Sequence, residues 1–315
     1  MSARPSLPVM TSGRIAAANL TASIGSARRR VAREFQPPAV AELVTALLTR
    51  GGVLARVDDV LTAHRWSAAL VAAFPRDGTA HLTRARTEGA LHLFDAALAS
   101  LDEGEARAAP ARELAEERAT VLQATGRVAE ALRLWEAASE ITQDSHVLGR
   151  LACVQAELGA TDAADELFNE AVAGYPDVSP VALAGLYRDW GHLHEHAGAW
   201  TEAEASYRRA VAILPCHARA QLGTAIAEAR SGRLPAAIAR LRPVCDASDD
   251  PTYAGTLGLL LLAQGPDPEA DDLLDRAHHR FDQLLALHPE AFAAHAAEFR
   301  QAEADLLGAA SRRHR

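Results

Sequence analysis

Apolar residues recur along most of the chain with the spacing of amphipathic helices. Two such segments, PPAVAELVTALLTR and VLARVDDVLTAHRWSAALVAAFP, precede residue 78, and a third, LALHPEAFAAHAAEFRQAEADLLG, covers residues 285–308. Alanine and leucine supply most of the apolar content, and aromatic residues make up only 5% of the chain. This mixture favours helices over strands. The pattern therefore predicts an all-α protein with almost no sheet.

Similar segments recur along the middle of the chain, which is the sequence signature of a repeat architecture. GATDAADELFNEAVAGYP at residues 159–176 and GAWTEAEASYRRAVAILP at residues 198–215 carry glycine, alanine, an aromatic residue, alanine and proline at the same relative positions. More degenerate copies begin at Gly126, Gly232 and Gly265, and a copy without the glycine contains Phe94, Ala97 and Leu101.

These segments resemble the tetratricopeptide repeat (TPR) family, whose repeat of about 34 residues forms two antiparallel helices. The copy from Ala184 to His217 matches the family pattern at Tyr187, Trp190, Gly191, Ala203, Tyr207, Ala210 and Pro215. In this register the repeats begin near Gly78, Arg112, Ser145, Ala184, Ala218 and Pro251. Ser179-Pro180 has the pattern of an N-cap followed by proline at the first helical position, so we expect the fourth repeat to begin early.

The resemblance implies an α-solenoid, a right-handed superhelix of about six TPR helix pairs over residues 78–284. Each unit of such an array buries its open face on the next. We interpret residues 38–77 as N-terminal helices, with a degenerate extra repeat as an alternative. Residues 1–37 are interpreted as a flexible basic arm containing one weak helix, and residues 285–315 as a capping helix with a basic tail.

The charge of the chain excludes several kinds of chemistry. The formal net charge is −9, and all 32 Lys+Arg positions are arginine. Without lysine there is neither Schiff-base chemistry nor a phosphate-loop lysine. A net-acidic chain also argues against broad nucleic-acid binding. The basic run Arg28-Arg29-Arg30-Val31-Ala32-Arg33 has three interpretations: it contacts an anionic membrane or nucleic acid, it docks on the protein's own acidic body, or it is a solubilising tail.

The cysteines and the hydropathy indicate the compartment. Cys153, Cys216 and Cys245 are odd in number and form no C-x-x-C motif, so we interpret them as small core residues in a reducing environment. No apolar run reaches transmembrane length. The expected localisation is cytoplasmic.

The stretch GHLHEHAGAWTEAEASY offers a chemical alternative. His192, Glu195 and His196 fit the H-x-x-E-H pattern of one class of zinc peptidases. On a helix His192 and His196 share a face and His194 lies nearly opposite, so the three histidines cannot bind one metal ion. The TPR resemblance implies that His194 takes the place of a packed tyrosine. We expect no metal, no cofactor and no catalysis, and keep a metal-dependent enzyme using His192, Glu195 and His196 as a less favoured alternative.

The resemblance also implies that ligands bind the concave groove of the superhelix, which first-helix side chains line. The groove residues in the family's positions are Glu113, Glu116, Gln123, His146, Glu157, Arg188, His192, Glu195, His196, Arg219 and Arg230. The groove thus runs from an acidic stretch through a His/Arg stretch to an apolar end, and suits an extended peptide or a partner helix. The family's chaperone-tail binders use groove lysine and asparagine, and these positions contain neither.

The function predicted from these observations is that of a non-enzymatic scaffold or adaptor for a protein or peptide partner. We expect no small-molecule substrate, no nucleic acid and no membrane span, and leave a homodimer open. The alternative is a peptide-sensing transcriptional regulator, which needs a DNA-binding segment before residue 75. The segment LTRGGVLARVDDVLTAHRW lacks a clear recognition helix.

Overall fold

The computed structural model describes residues 11–176 and 178–313, with side chains described as far as Leu306. Over these residues the chain forms sixteen α-helices and no strand, as the sequence predicts. The helices are α1 (Gly13–Arg33), α2 (Pro37–Leu54), α3 (Val57–Ala73), α4 (Gly78–Ala90), α5 (Phe94–Ala106), α6 (Ala111–Ala124), α7 (Val128–Ile141), α8 (Ser145–Glu157), α9 (Thr161–Ala173), α10 (Pro180–His196), α11 (Trp200–Ile213), α12 (Ala218–Arg230), α13 (Leu234–Ala247), α14 (Pro251–Gln264), α15 (Pro268–Leu287) and α16 (Pro289–Arg313).

The helices stack as an α-solenoid. Consecutive helices pack in pairs from α2–α3 to α14–α15, and first helices also contact one another, as α4 contacts α6 and α10 contacts α12. First helices begin at or beside the predicted repeat starts, and α10 begins early, at Pro180. Because α14 also contacts α16, the last helix occupies the place of the first helix of a further unit. The α2–α3 pair continues the stacking at the other end.

Small residues at the crossing of each pair set the spacing between helices. Ala164 and Ala203 are fully buried, as is the aromatic ring of Phe168. Tyr207 lies between two glycines: a Cβ on Gly191 would come within 2.7 Å of its ring, and a Cβ on Gly223 within 2.4 Å. At both positions there is room only for the hydrogen atom of glycine.

The helix expected within the basic arm over residues 1–37 is α1, which packs against the array. Its buried residues, Ala16, Leu20, Ile24, Ala27 and Val31, follow each other at helical spacing and form one apolar face. This face packs against α2 and contacts α10. The backbone N–H of Thr11 donates to the carbonyl of Val178 at 2.9 Å, which fixes the start of the segment. Residues 1–10 lie outside the described part of the chain.

The two ends of the solenoid meet. Helix α2 contacts α12, and the turn between α2 and α3 reaches the turn between α13 and α14. There Ser248 Oγ donates to the carbonyl of Ala55 at 2.6 Å, and Asp249 Oδ1 accepts from the backbone N–H of Val57 at 2.5 Å. Arg280 of α15 forms an ion pair with Asp58 at 2.6 Å. We refer to these contacts between residues 51–58 and residues 248–280 as the closure contact.

Candidate functional site

The residues predicted to line the groove fall into two places. Arg188, His192, Glu195 and Arg219 line a cavity of about 500 Å³. The other predicted residues lie on the helices α6, α8, α10 and α12 but do not line this cavity: Glu113, Glu116, Gln123, His146, Glu157, His196 and Arg230. The structure therefore does not bring the eleven residues together in one site.

The acidic stretch on α6 is paired with arginines. Glu113 forms an ion pair with Arg86 of α4 at 2.5 Å, and Glu116 accepts from Arg112 at 2.6 Å. Arg112 also reaches Asp144, the N-cap residue of α8, at 2.9 Å. The side chain of Glu113 is still 47% exposed, so this pair is solvated and contributes little to stability.

A polar chain links α6 to α8. The buried amide of Gln123 donates to Glu157 Oε1 at 2.5 Å and accepts from Arg150 at 2.7 Å. The Arg150 guanidinium lies 5.9 Å from the centre of the Trp135 ring, and the exposed His146 ring lies 5.8 Å from it on an edge. The predicted residues Gln123, His146 and Glu157 are thus connected through Arg150 and Trp135, which are not among the residues that the family positions place in the groove.

The histidines of α10 take the positions that helical geometry predicts. The rings of His192 and His196 meet edge to face, with their Nε2 atoms 3.0 Å apart. His194 points the other way: it is 8% exposed, and its Nε2 lies 3.5 Å from Asp165 Oδ1. Glu195 accepts a hydrogen bond from the Tyr207 hydroxyl. His192, whose Nδ1 lies 3.7 Å from Glu195 Oε2, and the hydrogen bond from Tyr207 hold the pKa of Glu195 below its ordinary value against the effect of burial.

This geometry provides no set of metal ligands for the alternative of a metal-dependent enzyme, among the residues that the structure describes. Over residues 11–176 and 178–313, no group of three or more His, Cys, Asp or Glu side chains is arranged to hold a metal ion. The carboxylate of Glu195, which belongs to the H-x-x-E-H pattern, accepts a hydrogen bond from the Tyr207 hydroxyl of α11.

The cavity exists because the ends of the solenoid meet. One wall consists of residues of α10 and α12, and the opposite wall consists of the α2–α3 turn, with Arg56, Val57 and Val60. The turn after α4, the start of α14 and the helix α16 complete it, and they contribute His92, Tyr253, Phe292, His295 and Glu298. Only closure brings these distant parts of the chain to one place.

Three arginines of the cavity wall are incompletely paired. Arg188 bonds Asp189, the next residue in the chain, at 2.7 Å, and its buried Nε has no hydrogen-bond partner. Arg219 has neither a hydrogen bond nor an ion pair with any residue that the structure describes. The buried Nε of Arg56 also lacks a partner, because Asp59 lies 4.0 Å away and is held by two hydrogen bonds from Arg50.

Two pairs of imidazole rings join the ends of the solenoid near the cavity. His64 of α3 contacts His288 with ring centres 5.5 Å apart, and His92 contacts His295 at 5.3 Å. Burial, followed by the charge of Arg84 and by His288, lowers the pKa of His64 to about 4. Burial also lowers the pKa of His92, and His295 and Arg219 add to the effect. Both rings on the N-terminal side are therefore held neutral.

Comparison with solved structures identifies the architecture. The chain is similar to the crystal structure of the APC/C hetero-tetramer Cut9–Hcn1, with a TM-score of 0.56, 14% sequence identity and 82% of this chain covered. The helix pairs, the buried small residues at their crossings and this match together decide the fold. The chain has the tetratricopeptide-repeat fold.

Other TPR-like structures are less similar. Yeast Tom70 has a TM-score of 0.47 and 12% identity over 79% of this chain and 60% of its own. A tetratricopeptide repeat protein from Parabacteroides merdae has a TM-score of 0.42 and 16% identity over 75% of this chain and 98% of its own. The chain spans about half the length of the Cut9–Hcn1 chain that it matches, 52%. Models of known protein families give no match, and neither do curated protein sequences.

The TPR array differs from the sequence-based expectation in one respect that affects function. The first helices α10 and α12 line a cavity whose other wall is the protein's own α2–α3 turn. Among the described residues, α6 and α8 do not pack against helices α1 to α3 in the way that α12 packs against α2. None of the described helices is both long and apolar enough to cross a lipid bilayer.

Proposed function

We propose that this protein is a non-catalytic scaffold that binds a segment of a partner protein on the concave side of its TPR array. The proposed partner surface is the stretch of α6 and α8 outside the closure contact, with Glu113, Glu116, His146 and Glu157. Repeat arrays present first-helix side chains in rows, and such rows suit extended or helical segments. The observation that carries the proposal is the exposure of Glu113, His146 and Glu157 on adjacent first helices.

The charge of this surface favours a basic partner segment. Glu113, Glu116, Glu117 and Glu157 stand against Arg86, Arg112 and Arg150, and Asp144 adds a further carboxylate at the start of α8. A negative surface attracts a positive segment and speeds its encounter. Burial raises the pKa of Glu117, which lies 3.7 Å from Arg86.

The remaining groove residues enter the proposal differently. Arg188, His192, Glu195 and Arg219 face the cavity, whose other wall is the chain's own α2–α3 turn. We therefore do not include these four residues in the proposed partner surface. His196 and Arg230 lie near the ends of their helices and are exposed at the rim, where Arg230 rests 4.1 Å from the ring centre of Trp200.

A co-purification experiment tests the partner surface. The tagged wild-type protein is compared with the double variant Glu113→Arg and Glu157→Arg, which reverses two exposed charges on α6 and α8. The matched control reverses Glu136 and Glu166, which are exposed on the second helices α7 and α9. The expected result is one partner that wild type and control retain, and that the concave variant loses.

Cross-linking then places the partner on the surface. A photo-reactive amino acid at Thr120, on α6, is expected to cross-link the same partner, whereas one at Glu136 is not. A partner that the concave variant retains, or that cross-links from α7 instead, would contradict the proposed surface.

A further inference from the structure

The cavity formed by closure has the size of a small-molecule site. Its volume of about 500 Å³ lies within the range of about 300–1,000 Å³ that is usual for ligand pockets. Such pockets combine apolar walls with a few polar groups that fix the orientation of the ligand. The walls of this cavity contain both apolar side chains and a few charged groups.

Positive charge converges on one part of the cavity. The guanidinium groups of Arg188 and Arg219 project from adjacent first helices, α10 and α12. Burial raises the pKa of Tyr253 and the charge of Asp250 adds to this effect, while Arg219 and Arg188 both act in the opposite direction on this hydroxyl. The same two arginines act on Tyr207 in the same way. Both charges are therefore felt at the two hydroxyls that line this part of the cavity.

Over the described residues, the carboxylates of the cavity wall form no ion pair with these arginines, and Arg188 pairs with Asp189 at 2.7 Å. Glu195 is bonded to the Tyr207 hydroxyl, and Asp250 caps helix α14 by accepting from the backbone N–H of Thr252 at 2.9 Å. Glu298 is exposed on α16. A planar guanidinium with free N–H groups binds a carboxylate through two parallel hydrogen bonds.

Apolar side chains line the cavity on both walls, beside Arg56 on the α2–α3 side. Leu222 and Ile226 follow Arg219 on α12 at helical spacing, and Val57, Val60 and Phe292 face them from the α2–α3 side and from α16. A ligand held by its charged end at Arg219 would lay its remaining atoms along these side chains. An apolar body buried there contributes about 25 cal/mol per Å² of surface removed from water.

We propose that the cavity binds a small amphipathic carboxylate, that is, one carboxylate group on an apolar body, with Arg188 and Arg219 as the carboxylate-binding residues. The ligand contacts both ends of the solenoid at once, so its binding stabilises the closure contact. This inference goes beyond the partner surface on α6 and α8 and does not depend on it. It departs from the sequence-based expectation by adding a small-molecule ligand, which is bound and not converted.

Titration calorimetry with octanoate tests the site. Wild type is expected to bind octanoate with saturable, one-to-one stoichiometry, while octanamide, which has the same apolar body without the charge, binds about tenfold or more weakly. Inorganic phosphate, which carries charge without an apolar body, is also expected to bind more weakly. Equal binding of octanamide, or the absence of saturable octanoate binding to folded wild type, would overturn the proposal.

Three variants assign the binding residues. Arg188→Gln and Arg219→Gln are each expected to weaken octanoate binding about tenfold or more, because each removes a charged hydrogen bond. The matched control is Arg133→Gln, which removes an exposed arginine of α7 and should bind like wild type. Circular dichroism establishes that each variant is folded. If folded Arg188→Gln and Arg219→Gln both bind octanoate with wild-type affinity, the assignment is wrong.

Octanoate should also strengthen the closure contact. In thermal unfolding it is expected to raise the Tm of wild type and of Arg133→Gln, but not that of Arg188→Gln or Arg219→Gln. Partner capture on α6 and α8 is measured separately with Glu113→Arg and Glu157→Arg, whose octanoate binding should be unchanged. A variant pair that loses both binding activities together would contradict the separation of the two sites.

Discussion

Asp249 caps a helix that begins at Val57, a residue 192 positions earlier in the chain. The Asp249 carboxylate accepts from the backbone N–H groups of Val57 and Asp58, the first residues of α3. The residue that precedes the helix, Arg56, makes no side-chain cap hydrogen bond. The free N–H groups at the start of α3 are therefore bonded by a residue from the other end of the solenoid. The same hydrogen bonds cap the helix and form part of the closure contact.

Removing this cap should weaken closure. Asp249→Ala is expected to lower the free energy of unfolding by about 1 kcal/mol, the usual cost of losing an N-cap side chain. Asp249→Asn retains an acceptor oxygen and should cost clearly less. Urea unfolding followed by circular dichroism measures both. An Asn variant as unstable as the Ala variant would mean that the cap is not the source of the effect.

Two tight contacts predict the effect of adding a methyl group. Gly223→Ala and Gly191→Ala each place a Cβ inside the packing distance of the Tyr207 ring, so each is expected to cost about 1–3 kcal/mol of stability. Gly185→Ala, on the same helix as Gly191, meets nothing within 4 Å and should be neutral or stabilising. Chemical denaturation of the three variants distinguishes packing from helix propensity.

A buried carboxylate joins α12 to α13. Glu228 is 2% exposed and accepts two hydrogen bonds from Arg240, at 2.9 and 2.7 Å, and one from Arg208 at 3.2 Å. Glu228→Ala leaves Arg240 without these bonds and is expected to cost about 2 kcal/mol or more. Glu202→Ala, at an exposed position of α11, is the control and should change the free energy of unfolding by less than about 0.5 kcal/mol.

Acid should destabilise the closed array through His64. The pKa of His64 is lowered to about 4 in the folded protein, from an ordinary value of 6.5, chiefly by burial. Between these values the unfolded chain binds more protons, so stability is fully present above about pH 6.5 and falls as the pH drops towards 4. His64→Gln should flatten this part of the profile.

The control for the pH profile is His279→Gln, which removes an exposed histidine of α15. Thermal unfolding of wild type and both variants from pH 7.5 to pH 4 gives the comparison. Burial also lowers the pKa of His217 to about 4, so a weaker acid dependence should remain in His64→Gln. A profile that is the same for wild type and His64→Gln would exclude His64 as the cause.

The fold could be predicted because its determinants are local. The Ser179-Pro180 pair predicts the early start of α10, and the serine side chain accepts from the N–H of Val181. The repeat register predicts that His194 is packed in place of a tyrosine, and it is buried, with Asp165 of the preceding repeat beside it. In α1 the buried face includes two alanines, and such a weakly apolar face does not distinguish a packed helix from an arm.

The candidate site could be predicted only in part. Arg188, His192, Glu195 and Arg219 do lie together, because family positions locate first-helix side chains relative to one another. Arg56 and His295 come from elements that no repeat register relates to α10 and α12. Asp249 and Val57 illustrate the reason: their hydrogen bond joins a turn to a turn, without periodicity or a shared helix face in the sequence.

A linear stack of repeats has two terminal units, each with one neighbour, and it loses structure from those units inward. Because α2 and the start of α3 contact α12, α15 and the α13–α14 turn, unravelling from either end must also break these contacts. Shortening the array at either end would then also remove contacts that stabilise the other end.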